Sequence, residues 1–254
     1  MPEKGTVIQF DLVAENIGSG TPVDLGIVGD LGEILSVIKD RISVSVELDW
    51  LRQVRVARDS WLKNLENSLQ DKSVPFNPPV VVDSISRHSA PEEIIALDSG
   101  DNVIWFGKHF SSSCQNVLVS GSWRTMGFAL PAALTAKIKN PGVPVTCITG
   151  DGGLNMVPGE LLTALRYRLP LRIIVFNNET LAMEKNEMDR RQLNPEEVEV
   201  TTPDYVKLAN ACGMNATRIA SYEELENVLK QSSSRDSSLL IDIPVRDNPP
   251  PEKR

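Results

Sequence analysis

The chain lacks what several large classes of protein need. It has three cysteines, Cys114, Cys147 and Cys212, an odd number with no CxxC spacing. That count makes no disulfide framework, and the two cysteines inside apolar runs read as small buried hydrophobes. No surplus of basic charge is present. The formal net charge is −8, which argues against generic nucleic-acid or anionic-membrane binding. No apolar run approaches the ~18 residues of a membrane span. The opening Met1-Pro2-Glu3-Lys4-Gly5 lacks the apolar core of a signal peptide, so a soluble cytoplasmic protein is expected. Nor is there a GxGxxG run, which counts against an ordinary dinucleotide-binding domain. Only two histidines occur. His88, beside Arg87, reads as solvated, and His109 as a residue without an assigned chemical role.

What is present has the pattern of an α/β protein. Apolar residues make up 41% of the 254 positions, enough for a sizeable core. Thr6 to Phe10 reads as a strand, 17–22 as a Gly-rich turn, Asp24 to Asp30 as a short strand and Ile34 to Ile38 as a helix. This is too little to close a core alone. From Trp50 to Gln70, apolar residues recur with a loose helical spacing. Val74-Pro75-Phe76-Asn77-Pro78-Pro79 carries three prolines in six residues and reads as a linker. Ser89-Ala90-Pro91-Glu92-Glu93 reads as a helix start.

Beyond that, unbroken β-branched runs alternate with helical segments. Val117–Val119, Val143–Thr149, Leu171–Phe176, Thr217–Ile219 and Ser238–Val245 read as strands. Leu130–Lys139, Gly159–Arg168, Tyr205–Cys212 and Tyr222–Lys230 read as helices, and Glu179–Val200 as a charged loop. Such alternation predicts a doubly wound parallel sheet covered on both faces. The expected division is a remnant of a second α/β domain with a linker over 1–73, the main domain over 80–247, and a disordered tail over 248–254.

In such folds, ligands sit at the carboxyl ends of strands. Two strands end in polar clusters, Gly150-Asp151-Gly152-Gly153 and Asn177-Asn178. Glycines let backbone approach an anion closely. If the two strands are neighbours, Asp151 and Asn178 face each other. A carboxylate, an amide oxygen, a backbone carbonyl and diphosphate oxygens suit the octahedral oxygen shell of Mg²⁺.

The run Gly150-Asp151-Gly152, then twenty-four residues, then Asn177-Asn178 resembles the thiamine diphosphate motif of the pyruvate decarboxylase and acetolactate synthase superfamily. Arg124-Thr125-Met126-Gly127-Phe128-Ala129-Leu130-Pro131 resembles that family's pyrimidine-facing segment. Asp98-Ser99-Gly100-Asp101-Asn102-Val103-Ile104-Trp105, with Lys108-His109-Phe110 after it, resembles its diphosphate-side loop. The strands near the N-terminus resemble the end of the family's middle domain.

The resemblance implies a C-terminal, diphosphate-binding domain with thiamine diphosphate and Mg²⁺ as cofactors. Asp151, Asn178 and the carbonyl of Thr180 would ligate the metal. Amides of Gly152 and Gly153 would hold the diphosphate, and Met126 would be the wedge that bends the cofactor. Gly100, Asp101, Asn102, Arg124, Thr125, Gly150, Leu181, Ala182 and Met183 complete the expected cofactor site. Three positions depart from the family pattern. Arg124 stands where glycine is usual, and its carbonyl can serve if its φ is negative. Asp101 stands in place of Asn or Gln, and Ala182 in place of a glycine.

The family's catalytic glutamate belongs to a pyrimidine-binding domain that nothing here resembles, so no catalytic residue is assigned in this chain. The implied function is one subunit of a 2-oxo acid decarboxylating and carboligating enzyme, acetolactate synthase-like. It would complete its site with a pyrimidine-binding partner subunit in a homo- or hetero-oligomer. The alternative is a non-catalytic cofactor-binding or regulatory protein derived from such an enzyme.

Overall fold

The computed structural model describes residues 5–41, 48–232 and 236–249. The chain divides into two compact units, Met1–Arg58 and Asp59–Arg254. In the first, β1 (Ile8–Asp11) and β2 (Leu25–Val28) pair in parallel, Ile8 opposite Leu25. Helix α1 (Leu31–Lys39) follows, capped by Asp30, whose carboxylate accepts from the Glu33 amide at 3.1 Å. None of this unit's described residues is buried, as two short strands and a helix would lead one to expect. Helix α2 (Leu48–Ser68) begins in this unit and ends in the second.

The second unit holds a six-stranded parallel sheet. The segment read as a linker is in part structural. Phe76 forms a parallel bridge with Val245, and Pro78 and Pro79 open helix α3 (Pro78–Arg87). Proline is tolerated there because the first-turn amides have no helical partner to lose. The helix start expected at Ser89–Glu93 is a correction. Ala90 N–H does reach Glu93 Oε2 at 3.1 Å, like half of a capping box. The chain turns at Pro91 and enters β3 (Ile94–Leu97). All four β3 residues are buried, and an apolar run covered on both faces favours a central strand.

After β3 come α4 (Asp101–His109), β4 (Asn116–Val119), α5 (Ala129–Lys139), β5 (Val145–Gly150), α6 (Asp151–Met156), α7 (Glu160–Arg166) and β6 (Arg172–Asn177). They are followed by α8 (Ala182–Arg190), α9 (Tyr205–Cys212), β7 (Asn215–Arg218), α10 (Tyr222–Ser232) and β8 (Leu239–Pro244). The strand order is β4-β3-β5-β6-β8-β7.

Alternate residues along β3, β5, β6 and β8 feed two cores. Ile95, Leu97, Ile148, Ile174, Ile241 and Ile243 pack on one face with Phe76, α3 and α10. Ile94, Ala96, Cys147, Ile173, Val175 and Leu240 pack on the other with α5, α7 and α9. Cys147 is buried in that core, Cys212 is half-buried and Cys114 is exposed.

Two segments read as loops are helical, which corrects the sequence reading. Residues 101–109 form α4, and 182–190 of the charged loop form α8. Of the expected tail, Asn248 lies near Asn77 (Nδ2 to Oδ1, 3.4 Å), and 250–254 lie outside the described residues.

A cleft at the switch point of the sheet

Strand order reverses between β3 and β5: β4 lies on one side of the pair, β6 on the other. The loops leaving these strands therefore diverge and open a crevice at their carboxyl ends. A cleft of about 1070 Å³ lies there. Its wall includes Gly100, Asp101 and Asn102 after β3, and Arg124 and Met126 before α5. Gly150 to Gly153 line it after β5, and Asn178 and Thr180 to Met183 after β6. Every sequence-assigned residue but one thus converges on it. Thr125 is the exception: it is exposed, and its amide is tied to Ser120 Oγ at 3.0 Å.

Asp151 stands at the first turn of α6, 3% exposed. Its neighbours β5 and β6 pair in register, Gly150 opposite Phe176. This brings Asp151 Oδ2 to the amides of Asn178 (3.1 Å) and Glu179 (2.6 Å). Oδ1 accepts from Gly152 N–H at 2.7 Å, so that amide, expected to hold diphosphate, is turned to the carboxylate instead. Burial pushes the Asp151 pKa up, opposed by these three amides. Tyr205, fully buried on α9, brings its hydroxyl within 3.1 Å of the Asp151 carbonyl.

Asn178 Oδ1 accepts from Thr180 N–H at 3.2 Å. The strap after it is held by a Thr180–Glu199 bridge and by Leu181 N–H to Val198 O, 2.7 Å. Leu181 and Met126 both lie over Gly152, where an added Cβ would come 3.1 Å from Leu181 Cδ2 and 3.0 Å from Met126 Cε.

The organising residue that sequence reasoning did not single out is Asp98. It is 1% exposed, directly after β3. Oδ2 accepts from the Thr149 hydroxyl (2.8 Å) and Gly127 N–H (3.2 Å), and Oδ1 from the amides of Phe128 (3.2 Å) and Ser99 (2.9 Å). It therefore fixes the turn that presents Met126. Asp98 begins the segment 98–105, but apart from the adjacent Ser99 amide its partners stand 29 to 51 residues away and leave no local signal.

Two departures acquire geometry. Arg124 has φ +48°, contrary to the condition set on it. The backbone there keeps the left-handed conformation that glycine favours, with an arginine bearing its cost. Asp101 Oδ2 accepts from Asn186 Nδ2 at 2.8 Å, while Oδ1 is buried and unpartnered. His109 ends α4 half-buried, with its ring centroid 6.0 Å from Trp105 and away from the cleft wall. His88 is not solvated as expected: it caps α3, with Nε2 3.2 Å from Glu226 Oε2.

The donor set fits a hard divalent cation. A carboxylate has about four lone-pair positions, and Asp151 uses three on amides. The Asn178 oxygen, with one bond accepted, keeps one as well. All are oxygen donors, as Mg²⁺ prefers. Among the described residues there is no group of three or more His, Cys, Asp or Glu side chains that could hold a metal. A cation here would thus draw on amide, carbonyl and ligand oxygens.

Fold and cleft define an α/β domain with an open cleft at the switch point of a parallel sheet. The particular family follows from comparison. The profile of the thiamine pyrophosphate enzyme, C-terminal TPP binding domain, matches residues 98–243, and the chain belongs to that family. It is 31% identical over 259 residues to a "probable acetolactate synthase large subunit" of Methanococcus aeolicus, covering 94% of this chain and 43% of that one. The protein of the same name in Methanocaldococcus jannaschii is 31% identical over 94% of this chain and 42% of its own. An acetolactate synthase large subunit of Cyanidium caldarium is 30% identical over 94% and 42%. The chain thus spans less than half the length of these relatives. No described helix is long and apolar enough to cross a membrane.

Proposed function

We propose that the chain is the diphosphate- and Mg²⁺-binding subunit of an acetolactate synthase-like enzyme that decarboxylates a 2-oxo acid and transfers the remaining acyl unit. The observation that carries this reading is the pairing of Asp151 with the strap after β6. A buried carboxylate touches the Asn178 amide, at the switch-point cleft of a thiamine pyrophosphate-binding fold. Asp151, Asn178 and the Thr180 carbonyl would hold the metal. Amides at the start of α4 and the Gly153 amide would face the diphosphate, the Gly152 amide being taken by Asp151. Met126 and Leu181 would give the thiazolium an apolar seat that excludes water. Bound thiamine diphosphate supplies the electron sink for decarboxylation.

The pyrimidine half of the site, with the glutamate that activates the cofactor, is proposed to come from a partner chain in an oligomer of at least two such domains. In support, the cleft carboxylates among the described residues are Asp101 and Asp151, at the starts of α4 and α6, and Glu184 and Glu187 on α8. The proposed setting is the cytoplasm, in branched-chain amino acid biosynthesis.

The test is titration calorimetry of thiamine diphosphate and Mg²⁺ into the purified chain. Metal-dependent binding is expected, weakened at least about 100-fold by Asp151→Ala, the loss of one charge-assisted metal ligand. Binding that is indifferent to Mg²⁺ and to Asp151 would overturn the reading. Binding without turnover beside any pyrimidine-binding partner would favour a non-catalytic role.

A further inference from the structure

Asp101 has a feature the proposed cofactor chemistry does not require. It opens α4 on the cleft wall, half-buried, and only one of its carboxylate oxygens has a partner. Oδ2 is taken by Asn186 of α8, while Oδ1 is shut from solvent and meets no donor. An ionised carboxylate in that state carries uncompensated charge on Oδ1, and the natural remedy is a proton on that oxygen. The charged groups around it do not supply one. Glu184 of α8 and Asp247 after β8 act on it, and Asp247 is itself paired with Lys185 of α8. The cleft wall further carries Glu187 and Arg190 of α8, Arg246 after β8 and Arg124 before α5. With Asp151, the cleft wall carries four acids against three arginines, an unfavourable balance for an incoming polyanion.

We propose that Asp101 is a proton-linked selector for phosphorylated ligands: a diphosphate enters the cleft together with one proton, taken from solution and held on Asp101. The ionised residue repels the ligand at the N-terminus of α4. The protonated residue removes one of the four negative charges and leaves the end of the helix free to act on the anion. Burial pushes the Asp101 pKa up to about 6, with Glu184 and Asp247 adding to burial and the Asn186 bond opposing it. The proton is therefore available near neutrality. This inference rests on the diphosphate-binding reading above.

The experiment measures the affinity of the full chain for Mg²⁺-thiamine diphosphate, and separately for Mg²⁺-pyrophosphate, from pH 5 to 8. It compares the natural chain with Asp101→Asn, and measures proton uptake in two buffers of different ionisation enthalpy. The ligand's own titration is common to both proteins, so their difference isolates Asp101. The natural chain should weaken relative to the variant as pH rises, approaching tenfold per unit above about pH 6. At pH 8 the variant should bind at least about tenfold tighter, and near pH 5 the two should agree within about twofold. The natural chain should take up close to one proton more per ligand bound than the variant near pH 7. Asp101→Ser, which also lacks the charge, should reproduce the variant's behaviour. Binding by both proteins with parallel pH curves overturns the inference alone. No binding of either ligand by either protein overturns the cofactor reading and the inference with it.

Discussion

Replacing Gly153 by alanine is expected to unfold the site from within. An alanine Cβ there would lie 2.5 Å from Asp98 Oδ2 and 2.7 Å from Thr149 Oγ1, two atoms already bonded to each other at 2.8 Å. Neither can step aside freely. Asp98 is held by three backbone amides besides the Thr149 hydroxyl, and Thr149 is on β5 with 1% exposure. The carboxylate must move by roughly 0.5 Å or more to reach an ordinary separation. Overpacking of this kind costs about 1–3 kcal/mol, and weakening hydrogen bonds to a buried carboxylate adds about 1.5–3 kcal/mol. The helix-propensity gain of alanine over glycine returns only about 0.5–1 kcal/mol.

The net expectation for Gly153→Ala is about 2–5 kcal/mol of destabilisation, read by urea unfolding, or a fall of about 4–20 °C in Tm. Gly107→Ala is the control. Gly107 is exposed inside α4 with no atom within 4 Å of the added methyl, so this substitution should stabilise by about 0.5–1 kcal/mol. Opposite signs for the same chemical change would show that Asp98, not backbone freedom, requires glycine at 153. A Gly153→Ala chain within about 1 kcal/mol of the natural protein would refute the reasoning.

Asp101 gives a stability prediction without any ligand. Its folded pKa, about 6, lies above the ordinary aspartate value of 3.8, so stability is fully present below the lower value and is lost as pH rises through the upper one. Discounted for the open cleft, the loss is about 1–2 kcal/mol. Asp101→Asn should escape it, being the more stable protein at pH 8 but not at pH 3.5 in paired urea titrations. The buried pair Arg172–Glu93 (2.8 Å) sits at the opposite end of the sheet. Arg172→Met should cost about 3–5 kcal/mol in the same assay by stranding Glu93, and adding Glu93→Gln should recover part of it. Arg124→Gly should raise Tm by the equivalent of up to about 1 kcal/mol, since glycine adopts φ +48° without strain. An unchanged or lower Tm would place the strain elsewhere.

The strands that carry the cleft were legible because they are unbroken apolar runs with a polar ending. β5 and β6 announce both their burial and the Gly150–Gly153 and Asn178 clusters that follow. Their adjacency was a conditional step, and the register of Gly150 opposite Phe176 supplies it. The elements misread were those whose local chemistry points two ways. Proline reads as a breaker, yet Pro78 and Pro79 occupy the one turn of a helix that tolerates them. Ser89–Glu93 has a helix-opening pattern, yet the apolar run behind it is claimed by the sheet. The polar α8 has few apolar residues to mark a periodicity, and its Asn186 and Lys185 are tied by polar contacts to Asp101 and Asp247.

Asp98 explains why a site can be half legible. Ligand-facing residues are constrained by chemistry and keep recognisable types at recognisable spacings. A supporting residue is constrained by where the chain returns in three dimensions. Here β3 ends beside β5 because the strand order reverses between them. That reversal places Asp98 where it can bind Thr149 from the next strand and the Gly127–Phe128 turn at once. The same crossing leaves no room for a side chain at Gly153 and aims Met126 over Gly152. One carboxylate thus converts a topological feature of the sheet into the shape of the cleft. This is why perturbing Gly153, which has no side chain, is expected to disturb the site as deeply as removing a ligand-binding group.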